Sequence, residues 1–255
     1  MGFTRLSIEA SEAPEAQRAR AVLIDRYGDH PRAAADCIIA LGGDGFMLST
    51  LHSSMGLGLP VYGMNRGTVG FLMNAYRPEG LIERLDVAKT ARISPLRMTT
   101  RVAGEVERTA LAINEVSLLR ETRQAAKLRV SVDGEVQLDP LVCDGVMVAT
   151  PAGSTAYNYS AHGPIIPIRG RLLALTPVAP FRPRRWRGAL LPYEAEVTIE
   201  VLEQAKRPVS ATADHVEVRD VHRVDVALAP EIGLSLLHDA GHSLEERIIR
   251  EQFSV

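Results

Sequence analysis

A chain of 255 residues with 46% hydrophobic and 24% charged side chains has the make-up of a folded protein of one or two domains. That excludes a disulfide-stapled miniprotein, a fibrous repeat and a disordered tail. Lys plus Arg number 29 against 31 Asp plus Glu, and a net charge of −2 gives no long-range field for nucleic acid or an anionic membrane. Cys37 and Cys143 sit in apolar runs, as buried thiols of a reducing compartment would. No basic stretch followed by an apolar one opens the chain, and nowhere do about 18 apolar residues run without charge. The expectation is a cytoplasmic protein with neither nucleic acid nor membrane as partner.

The elements follow in chain order. Phe3, Leu6 and Ile8 alternate as a strand; Ser11 then opens a helix with Pro14 in its first turn and Gly28 past its end. Residues 36–41 form a short apolar run leading into glycines, a strand buried on both faces, and a helix is expected over 46–55. A third unit repeats the theme with a strand in PVYGMN, a loop in RGTVGFL and a helix in RPEGLIERL, Pro78 near its start. From about Arg92 the period changes to two, and Asp133-Gly134 between alternating flanks marks a tight hairpin. After an interruption over 151–193, strands resume at EVTIEVLE, PVSATAD and VHRVDVALA. The last segment carries a capping box from Ser243 to Glu246, so a C-terminal helix should return to the first domain. The predicted fold is an α/β N-terminal domain with an open, mostly parallel sheet over 1–92 plus 242–255, and a β-rich, largely antiparallel domain over 93–241.

Four motifs carry chemistry. Gly42, Gly43 and Gly45 surround Asp44 at a strand-to-helix junction, where backbone amides can approach phosphate oxygens and the helix terminus adds positive potential. No Lys is present, so this is no Walker loop. Asp44 either takes the proton of an attacking hydroxyl in phosphoryl transfer or merely caps the helix. A second glycine-bearing turn, YGMNRGTVGFL, belongs on the same sheet edge, with Asn65 either a ligand contact or a turn residue. Asn114 and Glu115 interrupt an apolar strand and can read adenine edges or ribose hydroxyls; a solvated strand-end bulge is the bland alternative. Finally, Thr150, Gly153, Ser154, Thr155, Tyr157, Asn158, Tyr159 and Ser160 crowd small donors and aromatic faces into a loop and short helix suited to wrapping a nucleotide.

GGDG, the stretch Gly63 to Leu72 read as GxNxGxxGFL, the Asn-Glu pair, and Asp144 to Ser160 read as DGxxxxTPxGSTAYxxS resemble, in this order, the NAD kinases of bacterial type across nearly the whole chain. The resemblance implies the same two-domain fold with a dinucleotide site between the domains. It makes Asp44 the proton acceptor and Gly45 a dinucleotide contact, places Asn114 and Glu115 on the adenosine half, and makes Asp144 a further polar contact. Thr155, Ala156, Tyr157 and Ser160 would line the same pocket. Ala152 stands where relatives often have Thr or Ser, so only its backbone can serve. His162 replaces a usual glycine, and Asp214-His215-Val216 stands where many relatives read Asp-Gly-Gln, so His215 receives no role.

The activity so implied is phosphorylation of the adenosine-ribose 2′-hydroxyl of NAD by ATP or polyphosphate to give NADP. The implied cofactor is a divalent cation, Mg²⁺, bound mainly through the donor's phosphates, and the implied assembly is a homodimer or homotetramer. Two rivals stand beside it: a lipid kinase sharing the GGDG motif, and a non-catalytic sensor of NAD(H). RPRRWRG, 182–188, reads as a solvated loop or subunit contact, and His238 with His242 lacks the spacing and third ligand of a zinc site.

Overall fold

The computed structural model describes residues 2–67, 71–102 and 107–241. The chain divides into two compact units, Met1–Ile93 with Ile232–Val255, and Ser94–Glu231.

In the first unit, β1 (Leu6–Ala10), β2 (Cys37–Gly42) and β3 (Val61–Asn65) run parallel. Every residue of β2 is buried, which is why its sequence is an unbroken apolar run. Helix α1 (Pro14–Tyr27) starts on Pro14, whose missing N–H costs nothing in a first turn, and stops at Gly28 with φ 74°. Helix α2 (Asp44–Ser54) follows β2 directly. Helix α3 is shorter than expected, Leu81–Asp86, because Gly80 before it is left-handed (φ 64°) and cannot continue a helix from Pro78. A strand the periodicity did not resolve, β4 (Lys89–Ile93), closes the sheet.

The returning segment begins at Ile232 rather than at His242. Its strand Leu234–His238, β17 in chain order, lies parallel to β3 and antiparallel to β4, giving the order β1-β2-β3-β17-β4. Four of its five residues are buried as an interior strand requires, and alternation alone could not tell which sheet it joins. The expected capping box and C-terminal helix over 243–254 lie outside the described residues.

The second unit packs two antiparallel six-stranded sheets around one apolar core. One sheet joins β5 (Leu96–Val102), β6 (Glu107–Ala112), β8 (Ala126–Val132), β9 (Glu135–Cys143), β13 (Val197–Val201) and β16 (Val221–Leu228). The other joins β7 (Glu115–Arg120), β10 (Gly145–Ala149), β11 (Leu172–Val178), β12 (Ala189–Pro192), β14 (Val209–Ala213) and β15 (Val216–Val218). The β8–β9 turn has φ 51° at Asp133 and 83° at Gly134, the two positive values its sequence called for. The stretch 151–193 is not wholly an interruption, since it contains the β11–β12 pair; β12 is only four residues long, too short to show a period. Both cysteines are free and buried, and burial pushes the Cys143 thiol up to about 12. Among the described residues no helix is long and apolar enough to cross a membrane.

Candidate functional site

The β2–α2 junction is built around Asp44. Gly43 precedes the helix with φ −107° and ψ −173°, and no side chain caps that terminus. The half-buried Asp44 carboxylate reaches sideways instead: Oδ2 accepts the Phe71 N–H at 2.6 Å and Oδ1 the Leu72 N–H at 2.8 Å. One bond per oxygen fixes the plane of the carboxylate and leaves each oxygen further acceptor capacity. The helix-capping alternative is therefore not what the side chain does. Asn65 behaves as a turn residue, its Oδ1 accepting the Gly67 N–H at 2.8 Å, while Arg66 donates its backbone N–H to the Gly42 carbonyl at 2.8 Å. A Cβ placed on Gly43 or on Gly45 would meet nothing within 4 Å among the described residues, whose packing requires glycine at neither. What such a residue leaves open is the approach of a ligand to the backbone.

In the second unit the Asn114-Glu115 pair and the loop after β10 are locked together. Thr150 donates its N–H to the Asn114 carbonyl at 2.9 Å and its Oγ1 hydrogen to the Ile113 carbonyl at 2.7 Å. Its Oγ1 also accepts the Gly153 N–H at 3.1 Å. The loop makes one 3₁₀ turn, Gly153–Thr155, and a one-turn helix α4, Tyr157–Ser160. Its polar residues then separate into two kinds. Ser154 and Asn158 are fully buried: Ser154 Oγ accepts the Ile166 N–H, and Asn158 Nδ2 donates to the Ser154 and Pro164 carbonyls while its Oδ1 accepts from Thr176 Oγ1 at 2.7 Å. These two hold the loop's shape. Thr155, Ala156 and Tyr157 are half-buried and Ser160 exposed. No side-chain hydrogen bond engages Asn114, Thr155, Tyr157 or Ser160 among the described residues, so their donors and ring faces are available to a ligand. Ala152 is buried and offers only backbone.

Sequence reasoning missed Asp214. At the β14–β15 turn, with φ 49°, its carboxylate accepts the N–H groups of Ile113 (2.7 Å), Asn114 (3.0 Å) and Glu115 (3.3 Å). No local signal points to this, because the partners lie about a hundred positions earlier in the chain. Beside it, Glu115 Oε2 is shut off from solvent with no hydrogen-bond partner among the described residues. Burial, and secondarily the charge on Asp214, push Glu115 up to about 7.

A raised carboxyl pKa means that the folded chain holds this proton more tightly than the unfolded chain does. Its stabilising contribution is complete below about 4.5 and lost as pH rises through about 7. Glu115→Gln is therefore expected to leave stability unchanged at pH 4 and to raise it at pH 8, by roughly 3 kcal/mol. Thermal melts of both proteins from pH 4 to 8 check this; curves that stay parallel would contradict it.

Asp144 is placed apart from this cluster. It precedes β10, whereas Thr150 follows it, a strand-length separation of roughly 20 Å. There its carboxylate pairs with Arg120 at 2.6 Å. The basic loop 182–188 is at that same end, tied by hydrogen bonds in both directions between Val142 and Arg182. No group of three His, Cys, Asp or Glu side chains converges as a metal site among the described residues.

Two family models match: the ATP-NAD kinase N-terminal domain over residues 7–91 and the ATP-NAD kinase C-terminal domain over 113–229. The chain belongs to the ATP-NAD kinase family. An NAD kinase of Caulobacter vibrioides is 60% identical over 98% of this chain and 96% of its own length, and one of Rhizobium meliloti is 57% identical over 99% and 98%. The fold matches a yeast NADH kinase solved with NADH, with a TM-score of 0.85 at 21% identity over 99% of this chain and 88% of that one. It also matches an NAD kinase of Archaeoglobus fulgidus solved with ATP, with a TM-score of 0.72 at 24% identity over 98% and 97%.

Proposed function

We propose that this chain transfers the terminal phosphoryl group of ATP, or of polyphosphate, to the 2′-hydroxyl of the adenosine ribose of NAD, forming NADP. The observation that carries the reading is Asp44: a carboxylate oriented by two backbone amides, beside glycines that leave the helix start open, in a chain 60% identical to NAD kinases over nearly its whole length. As the new bond from the ribose 2′-oxygen to phosphorus forms and the bond to the donor's leaving oxygen breaks, the hydroxyl proton passes to Asp44. A ribose hydroxyl is a weak nucleophile, so much of the acceleration must come from positioning. Asn114, Glu115, Thr155, Ala156, Tyr157 and Ser160 would supply it by holding the adenosine half, on a loop made rigid by Thr150, Ser154 and Asn158. Gly42, Gly43 and Gly45 would serve the phosphates through backbone amides. Asp144, given its separation from these residues, would contact a different part of the ligand or a ligand of a second copy in a homodimer or homotetramer.

The described residues do not by themselves fit a divalent cation. Asp44 is the single acidic group of its loop, and each of its oxygens already accepts an amide. Mg²⁺ would arrive on the donor's phosphates, where it neutralises charge, and no step of this chain's residues is routed through it.

The test is incubation of the purified protein with NAD, Mg²⁺ and either ATP or polyphosphate, followed by an NADP-specific cycling assay. NADP that depends on the donor is the expected result. NAD binding without donor-dependent product would favour the sensor, and labelled phosphate recovered in a lipid extract and not in NADP would favour the lipid kinase.

A further inference from the structure

Arg66 immediately follows β3, and its backbone N–H on the Gly42 carbonyl seats it on the sheet edge that carries Gly43 and Asp44. The next residue packs against the same loop: a Cβ on Gly67 would lie 3.5 Å from Gly43 Cα. The Arg66 guanidinium lies over the Tyr76 ring, 4.4 Å from its centroid, and Tyr76 is itself packed on the apolar core of the first unit. This stack holds the plane of the cation but supplies no acceptor for its five N–H groups. Nε is shut off from solvent without a hydrogen-bond partner, and no carboxylate pairs with the guanidinium among the described residues. Other arginines of the unit do have acids: Arg20 has Asp29, Arg32 has Glu9 and Arg84 has Asp239. Among the described residues the other part-buried guanidinium groups have acidic partners, and this one is left unpaired at the edge of a loop, 41–48, that contains no Lys or Arg of its own.

We infer that Arg66 binds the phosphate chain of the phosphoryl donor at this edge, the unpaired guanidinium over Tyr76 taking phosphate oxygens as its missing acceptors. The inference rests on the phosphotransfer reading above and adds a binding residue to it. A guanidinium matches phosphate oxygens two at a time and stays charged throughout, so its bonds can persist as negative charge shifts during transfer. The loop's glycines would then bring backbone amides to the phosphates while Arg66 supplies the full positive charge they lack.

The test compares the wild type with Arg66→Gln and Arg66→Lys, titrating inorganic triphosphate and NAD separately by calorimetry and measuring initial rates where the wild type turns over. The expected result for Arg66→Gln is triphosphate binding weakened at least ~10-fold, a matching rise in the KM for ATP or fall in kcat, and NAD affinity within about twofold of wild type. Arg66→Lys keeps the charge without the fork and should recover part of the loss. Should Arg66→Gln fail to fold, Arg66→Met, which keeps an apolar stem on Tyr76, serves in its place. Triphosphate affinity unchanged in the neutral variants, no triphosphate binding by the wild type, or an equal loss of NAD affinity would each overturn the assignment. A wild type that makes no NADP overturns the phosphotransfer reading instead, and the triphosphate comparison still decides the role of Arg66.

Discussion

Asp44→Asn is expected to lose at least ~100-fold in turnover while binding NAD with affinity close to that of the wild type. The substitution is not silent in the folded protein. Both carboxylate oxygens accept backbone N–H groups, from Phe71 and Leu72, and an amide can accept only one of them while its NH₂ faces the other as a second donor. Losing one charge-assisted bond and opposing two donors should cost about 1–3 kcal/mol of stability. Set against the 5–15 kcal/mol typical of a folded domain, that leaves the variant essentially all folded at 25 °C, so the loss in rate cannot be assigned to unfolding. The measurement is a steady-state rate beside an NAD titration and a thermal melt of the same preparation. A near-normal rate would remove Asp44 from the base role and leave it as the latch of the 71–72 loop.

Gly153→Ala is expected to be strongly destabilising. A Cβ there would lie 2.2 Å from the Asn114 carbonyl oxygen and 2.4 and 2.5 Å from its carbonyl carbon and Cα. Nothing flexible can give way, because Asn114 is anchored through its carbonyl to Thr150 and through its amide to Asp214. Overpacking against fixed backbone should cost roughly 3 kcal/mol or more, and the loop that carries Thr155 and Tyr157 would be displaced from Asn114, weakening NAD at least ~10-fold. Gly45→Ala is the control, since its methyl meets nothing within 4 Å among the described residues and its stability should stay within about 1 kcal/mol of wild type. Equal melts for Gly153→Ala and the wild type would show that the loop and Asn114 are not locked as described.

The contrast between these two glycines marks how far the sequence could be read. The strand-to-helix junction at 41–48 and the tight turn at Asp133-Gly134 were legible because local conformation decides them. The mutual placement of Asn114 and Thr150 was not, since it arises from β7 and β10 lying side by side, with Glu115 opposite Ala149. The same holds for β17, whose apolar pattern suits any of the three sheets. Within the loop, composition flagged Ser154, Thr155, Tyr157 and Asn158 alike. Only burial separates the two that hold its shape from the two that are free. Asp214 and Arg66 escaped for opposite reasons: the first acts on amides far away in sequence, and the second stands out by the partner it lacks.

If Asp44 deprotonates the ribose alcohol it must face it, and a crystal structure of this protein with NAD bound decides whether it does. The Asp44 carboxylate is expected within hydrogen-bonding distance of the adenosine-ribose 2′-oxygen, its bonds to Phe71 and Leu72 intact. A bound NAD whose 2′-oxygen lies beyond reach of Asp44, or is met by another titratable side chain, would contradict it.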